Sequence, residues 1–206
     1  MKVARIELNS PAEVEGEFAD IIFFQGCTRK CDYCFNPELQ KKGDFDQEMS
    51  AKELTQYVYN SFSSVVVLTG GEPLDQDINE LLYLIAYLKT SKKKVLVETS
   101  KYHKNIFGLA THVLYCIKTW DIDPQALSEI QGKKNITKIV VTDHSDFSFD
   151  GYRNALQHIE GELYYRPAND RLLAKQWGNL YKLAKKYKIE LKRWEKICLT
   201  KKNSMK

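Results

Sequence analysis

No apolar run in this 206-residue chain approaches the roughly 18 residues of a membrane span, and no signal-peptide hydrophobic core follows its first residues. Both absences predict a cytoplasmic protein with no membrane partner. Cysteine is scarce: there are five, an odd number with three crowded into one loop, which argues against a disulfide framework and for a reducing compartment. Neither sign of charge dominates, and a net charge of +4 is too small to argue for nucleic acid as a partner. Fixed-period repeats and low-complexity linkers are also missing. A chain of this length, 43% hydrophobic, therefore has room for one domain with a real core and at most an appendage.

What is present is concentrated in FFQGCTRKCDYCFNPEL, where Cys27, Cys31 and Cys34 follow one another at spacings of four and three. Three thiolates so placed can hold three corners of a cubane iron–sulfur cluster and leave the fourth iron open to a substrate. Soft thiolate ligands select iron–sulfur clusters or zinc over hard cations, so both metals stay in play on the ligands alone. A structural zinc site needs a fourth Cys or His, which would have to come from far outside the loop.

A second motif follows the apolar run Val65-Val66-Val67-Leu68: Thr69-Gly70-Gly71-Glu72-Pro73-Leu74. Paired glycines after a strand let bare backbone approach a ligand, and the Glu72 carboxylate could accept a hydrogen bond from a ligand ammonium group. Alone, GGEP reads as a plain strand-to-helix turn. Together, the CxxxCxxC loop with Tyr33 before its third cysteine and the GGE motif of Gly70, Gly71 and Glu72 followed by Pro73 resemble the radical S-adenosylmethionine (radical SAM) superfamily. The resemblance implies a 4Fe–4S cluster on Cys27, Cys31 and Cys34. It also implies S-adenosyl-L-methionine chelated to the open iron, with the GGEP loop meeting the methionine amino group. One electron from the reduced cluster then cleaves the sulfonium to methionine and a 5′-deoxyadenosyl radical. Cluster and cofactor carry that chemistry while the protein orients them and keeps out water and oxygen.

Short β-branched runs alternate with helical patterns along the chain, the mark of βα units around a parallel sheet. Strands are predicted over 20–25, 65–69, 95–99, 113–118, 138–142 and 162–166. Helices are predicted over 50–61, 75–89, 124–131, 151–159 and 171–187. In the 75–89 helix, Ile78, Leu81, Leu82, Ile85 and Leu88 share the face that packs on the sheet. Six such units with right-handed crossovers predict an α/β fold, an open (β/α)6 partial TIM-type barrel, and the resemblance implies the same architecture. The expected organisation is a barrel domain over 1–187 and a basic C-terminal extension over 188–206.

Sites in such folds lie beyond the carboxyl ends of the strands, and every predicted strand ends there in polar residues. Glu98, Thr99 and Ser100 end the third strand, where related activating enzymes carry an acidic–Thr pair near the cofactor; helix capping by Thr99 or Ser100 is the plainer use. Lys118 stands at the lysine of a D-x-K pattern that touches the cofactor in glycyl-radical activases, with Cys116 where the aspartate belongs. That departure puts any cation role there in doubt, and Cys116 reads as a small buried hydrophobe. His144 sits where a donor could reach adenine or a substrate, or is simply solvated. Arg166 and Asn169 suit a carboxylate or phosphate, or a turn around Pro167. His103, His112 and His158 read as surface or packing residues.

Between residues 182 and 206 ten Lys and Arg face only Glu190 and Glu195, either a solvated helix face with a tail or a docking surface for an acidic partner. Within the superfamily, the 14–39 stretch looks like the opening of the small activating proteins of anaerobic ribonucleoside-triphosphate reductase. That resemblance implies hydrogen abstraction from a glycine of the reductase and a reductant such as flavodoxin or ferredoxin. The alternative family, 7-carboxy-7-deazaguanine synthase, is another minimal barrel; it would use Arg166, Asn169 or His144 for a pterin-like substrate together with magnesium. Phe35-Asn36-Pro37 after Cys34 departs from the Trp-Cys-Asp-type loop favoured there. A noncatalytic zinc-binding module is the third reading, and it leaves the GGEP loop without a use.

Overall fold

The computed structural model describes residues 1–14, 16–31, 34, 36–40, 47–116, 123–130, 163–165 and 191–193. Strands β1 (Lys2–Ser10), β2 (Ala19–Phe24), β3 (Gln47–Glu48), β4 (Val65–Gly70), β5 (Lys94–Thr99) and β6 (His112–Tyr115) form one sheet in the order β3-β1-β2-β4-β5-β6. β1 is antiparallel to β2 and β3, while β2, β4, β5 and β6 run parallel. Helices α1 (Ala51–Tyr59), α2 (Ile78–Thr90) and α3 (Lys104–Leu109) occupy the three parallel crossovers. Beyond them come α4 (Pro124–Ile130) and two short strands, β7 (Leu163–Tyr165) and β8 (Leu191–Arg193), paired parallel in a second sheet. β8 falls in the stretch read as a C-terminal extension. The predicted strand at 138–142 and helices at 151–159 and 171–187 lie outside the described residues.

Burial explains which strands are central. All six residues of β2 are buried, as are the first four of β4, which is what parallel strands covered on both faces require. Alternation sorts their side chains into two cores. Ile22, Phe24, Val66, Leu68, Val95 and Val97 face the helices and meet Leu54, Val58, Leu81, Leu84, Ile85 and Leu88. On the other face Ile21, Phe23, Val65, Val67, Leu96 and Leu114 form the second cluster. By the same alternation Thr69 and Glu98 point to the second face and Thr99 to the first.

Three departures from the sequence reading have local causes. α2 begins three residues later than predicted because Pro73–Asp75 forms a 3-10 turn and Asp77 caps the helix, accepting from the Glu80 N–H at 2.9 Å. On α2 Leu84 is fully buried, whereas Ile78 and Leu82 are only partly so. β1 has no counterpart among the strands the sequence predicts: register shifts between Val3 and Arg5 and between Glu7 and Ser10 break the alternation that would reveal it.

Candidate active site

The cysteine loop leaves β2 through Gln25 and Gly26 and is closed at its base. The Gly26 N–H donates to the Leu39 carbonyl at 2.8 Å, and Leu39 is buried in the second core cluster. A 3-10 turn at Pro37–Gln40 makes that return, and Gln40 Nε2 donates to the Cys31 carbonyl at 3.2 Å. Cys27, Cys31 and Cys34 are half-buried free thiols. Burial pushes the Cys27 thiol up to about 11, with the charges of Glu72, Asp75 and Cys31 adding to it and the Arg29 N–H opposing.

Directly above lies the double glycine. Gly70 has φ +104, and a Cβ there would meet the Phe24 nitrogen at 2.6 Å. At Gly71 a Cβ would stand 2.1 Å from the Gly26 carbonyl oxygen. Only bare backbone fits, so the Gly71 and Glu72 N–H groups reach the Phe24 and Gly26 carbonyls at 2.8 and 2.9 Å. Two rim loops thereby become one slab of backbone. Glu72 is 2% exposed, and its carboxylate turns inward. It accepts from the Leu74 N–H at 3.1 Å, the Thr99 hydroxyl, the Ser100 N–H at 2.9 Å and the Ser100 hydroxyl at 2.8 Å. Those four donors match the roughly four lone-pair sites of a carboxylate.

Glu98 differs. Its Oε2 accepts from the Thr69 hydroxyl at 2.7 Å, and its buried Oε1 has no hydrogen-bond partner among the described residues. An unmet carboxylate oxygen is costly to bury, so among the described rim carboxylates Glu98 is the one prepared to receive a donor from a bound molecule. Cys116, half-buried, donates its N–H to the Thr99 carbonyl at 2.7 Å. Tyr33, Lys118, His144, Arg166 and Asn169 lie outside the described residues. Sequence reading overlooked Thr28, Asp75 and Lys101, which tie the cysteine loop to its neighbours across 47 and 73 residues of sequence; no local pattern announces such pairings.

The donor set fits a 4Fe–4S cluster. Three soft, unpaired thiols lie on one closed loop. The space a Cβ would take at Gly70 and Gly71 is filled by the Phe23, Phe24 and Gly26 backbone, so the double glycine, expected to admit a ligand, serves to seat the GGEP loop against the cysteine loop. Among the described residues no three Cys, His, Asp or Glu side chains converge within reach of a single ion. No helix among them is long and apolar enough to cross a membrane.

Residues 21–165 match the family model of the Radical SAM superfamily. A 7-carboxy-7-deazaguanine synthase of Clostridium acetobutylicum is 34% identical over 96 residues, 46% of this chain and 42% of that protein. A pyruvate formate-lyase-activating enzyme of Clostridium pasteurianum is 26% identical over 177 residues, 80% of this chain and 67% of that enzyme. The anaerobic ribonucleoside-triphosphate reductase-activating protein of Enterobacteria phage T4 is 31% identical over 72 residues, 34% of this chain and 46% of that one. The chain thus spans less than half of the first and third of these relatives. Among solved structures, QueE from Escherichia coli superposes with a TM-score of 0.68 at 16% identity, covering 94% of this chain and 93% of that one. The shared fold is the open partial barrel.

Proposed function

The chain belongs to the radical SAM superfamily, and from that premise we propose that it is a glycyl-radical activating enzyme whose substrate is a glycine in a loop of an anaerobic ribonucleotide reductase. Its cofactors are a 4Fe–4S cluster and S-adenosyl-L-methionine, which together supply a 5′-deoxyadenosyl radical by one-electron cleavage of the sulfonium. In this reading Cys27, Cys31 and Cys34 hold the cluster. The Gly70-Gly71 backbone would seat the GGEP loop against the cysteine loop, and Glu72 would brace it against the end of β5. Glu98 Oε1, without a partner among the described residues, would accept a hydroxyl or ammonium donor of the cofactor. Bound there, the group would supply the radical that takes one hydrogen atom from the glycine Cα of the partner, with 5′-deoxyadenosine as the product. The electron that starts each turnover comes from a reductant of the flavodoxin or ferredoxin kind.

The observation that carries this reading is the match to two activating enzymes, one of them running through 177 residues. A specific observation also favours a second reading, 7-carboxy-7-deazaguanine synthesis. The 34% match over 96 residues is to such a synthase, and the superposition on QueE spans nearly the whole of both chains. One experiment separates them: anaerobic electron paramagnetic resonance of the reconstituted, reduced protein with S-adenosylmethionine and a candidate reductase. A glycyl doublet on the reductase that disappears with Cys31→Ala is the expected outcome. Cofactor cleavage without the doublet, together with a deazapurine product from a pterin-like substrate, would overturn the activase reading in favour of the synthase.

A further inference from the structure

One polar cluster on the rim joins Thr28 of the cysteine loop to Asp75 and Lys101, residues not yet given a part in the site's chemistry. A single oxygen of Asp75, Oδ2, accepts both the Thr28 N–H at 2.7 Å and the Thr28 hydroxyl at 2.9 Å. Lys101 Nζ donates to the Thr28 hydroxyl at 2.8 Å and pairs with Asp75 Oδ1. The Asp75 side chain is 13% exposed and that of Lys101 32%, so the pair is partly sheltered. Nearby, Arg29 Nη2 donates to the Ser100 carbonyl at 3.0 Å. Helix capping does not account for Asp75, because Asp77 caps α2.

Three separate loops meet in this cluster: the cysteine loop at Thr28, the turn after GGEP at Asp75, and the end of β5 at Lys101. Capturing both the N–H and the hydroxyl of one residue fixes its backbone and its χ1 together. The residue captured is the one directly after Cys27, so the peptide plane leaving Cys27 is set from outside the cysteine loop. We propose that Asp75 and Lys101 are positioning residues that fix Thr28 and, through it, the thiolate of Cys27, with their paired charges balanced beside the cluster. This rests on the assignment of the cluster and not on the identity of the substrate.

The test has two readouts. In the cluster-free protein, amide hydrogen exchange at Thr28 is compared across wild type, Asp75→Ala, Asp75→Asn and Thr28→Val. Asp75→Ala is expected to speed it about tenfold or more while leaving β4 and β5 amides unchanged. In the reconstituted protein, the reduction potential of the cluster is titrated anaerobically in Asp75→Asn and Lys101→Met. Removing Asp75's charge leaves a bare cation and is expected to raise the potential. Removing Lys101's leaves a bare anion and is expected to lower it, with Asp75→Asn/Lys101→Met returning toward wild type. A bracing role alone would not produce shifts of opposite sign. If Asp75→Ala fails to fold, the Asn, Val and Met variants carry the test. Unchanged Thr28 exchange, or potentials that move together or not at all, would overturn the proposal. Absence of the glycyl doublet from the wild-type reaction, with these shifts intact, would instead count against the substrate reading.

Discussion

A methyl group at position 71 has only rigid backbone to push against. The Cβ of Gly71→Ala would lie 2.1 Å from the Gly26 oxygen and 2.7 Å from the Gly26 carbonyl carbon. To make room, the loop must surrender its Glu72 N–H bond to Gly26, the contact that joins it to the cysteine loop. We expect a loss of about 2–4 kcal/mol in urea unfolding, overpacking plus one hydrogen bond. The matched control is Gly108→Ala in α3, where nothing lies within 4 Å; removing backbone freedom there is expected to add about 0.5–1 kcal/mol. Equal effects at the two positions would mean that the close approach is not rigid. Glu72 shows the limit of reading a motif. Its position after the glycines was plain, but Thr99 and Ser100 are 27 and 28 residues away, and no sequence pattern reveals that they fill its lone pairs. Glu72→Gln puts an amide donor where a carboxylate oxygen now accepts, and should cost about 1–3 kcal/mol in unfolding as well as weakening cofactor binding. A residue that met only the cofactor would lose affinity and keep stability.

At the opposite end of the sheet the elements are fastened by charge. The Asp20 carboxylate, 0% exposed at the start of β2, accepts from the Ser61 hydroxyl at 2.6 Å and from Lys93 Nζ at 3.3 Å, while Lys93 also reaches the Ser61 and Ser63 carbonyls. Beside this knot Lys94 of β5 pairs with Glu17 at 2.8 Å, and His112 opens β6. Burial holds the His112 imidazole below its ordinary value, the Lys94 charge adds to that, and the Glu17 carboxylate opposes it. A histidine depressed in the fold binds its proton more readily once unfolded. Stability is therefore complete above the unfolded value, near pH 6.5, and falls as pH drops through it toward the folded value. Urea midpoints taken from pH 8 to pH 5.5 should decline in wild type, and His112→Gln should remove that part of the slope. A wild-type and variant pair with parallel pH profiles would put the imidazole in open solvent. Strands β2, β4 and β5 were legible because buried parallel strands are written as continuous apolar runs. α3 was not, since its six residues, Lys-Asn-Ile-Phe-Gly-Leu, offer too little length for a helical period to emerge.

For the whole molecule, the cysteine loop is the piece that joins the rim ends of three strands. It is held by β2 through the Gly26–Leu39 bond, by β4 through the glycine slab, and by the end of β5 through Arg29 and Lys101. A ligand that binds this arrangement and not the unfolded chain must stabilise every element so connected. At about a hundredfold excess over the dissociation constant the gain is about 2.7 kcal/mol, which for a chain of this size is about 5–11 °C in melting temperature. Anaerobic melting of cluster-free and reconstituted protein should show that gain, and S-adenosylmethionine should add to it only after reconstitution. Cys31→Ala should show neither step, because two thiolates are left where three are needed. The sequence pattern shows which loop gathers three cysteines but not this coupling, which arises from contacts between segments far apart in the chain. If reconstitution leaves the melting temperature where it was, the cluster sits on a loop that folds apart from the sheet, and the rim contacts from Gly26 to Lys101 do not transmit its binding.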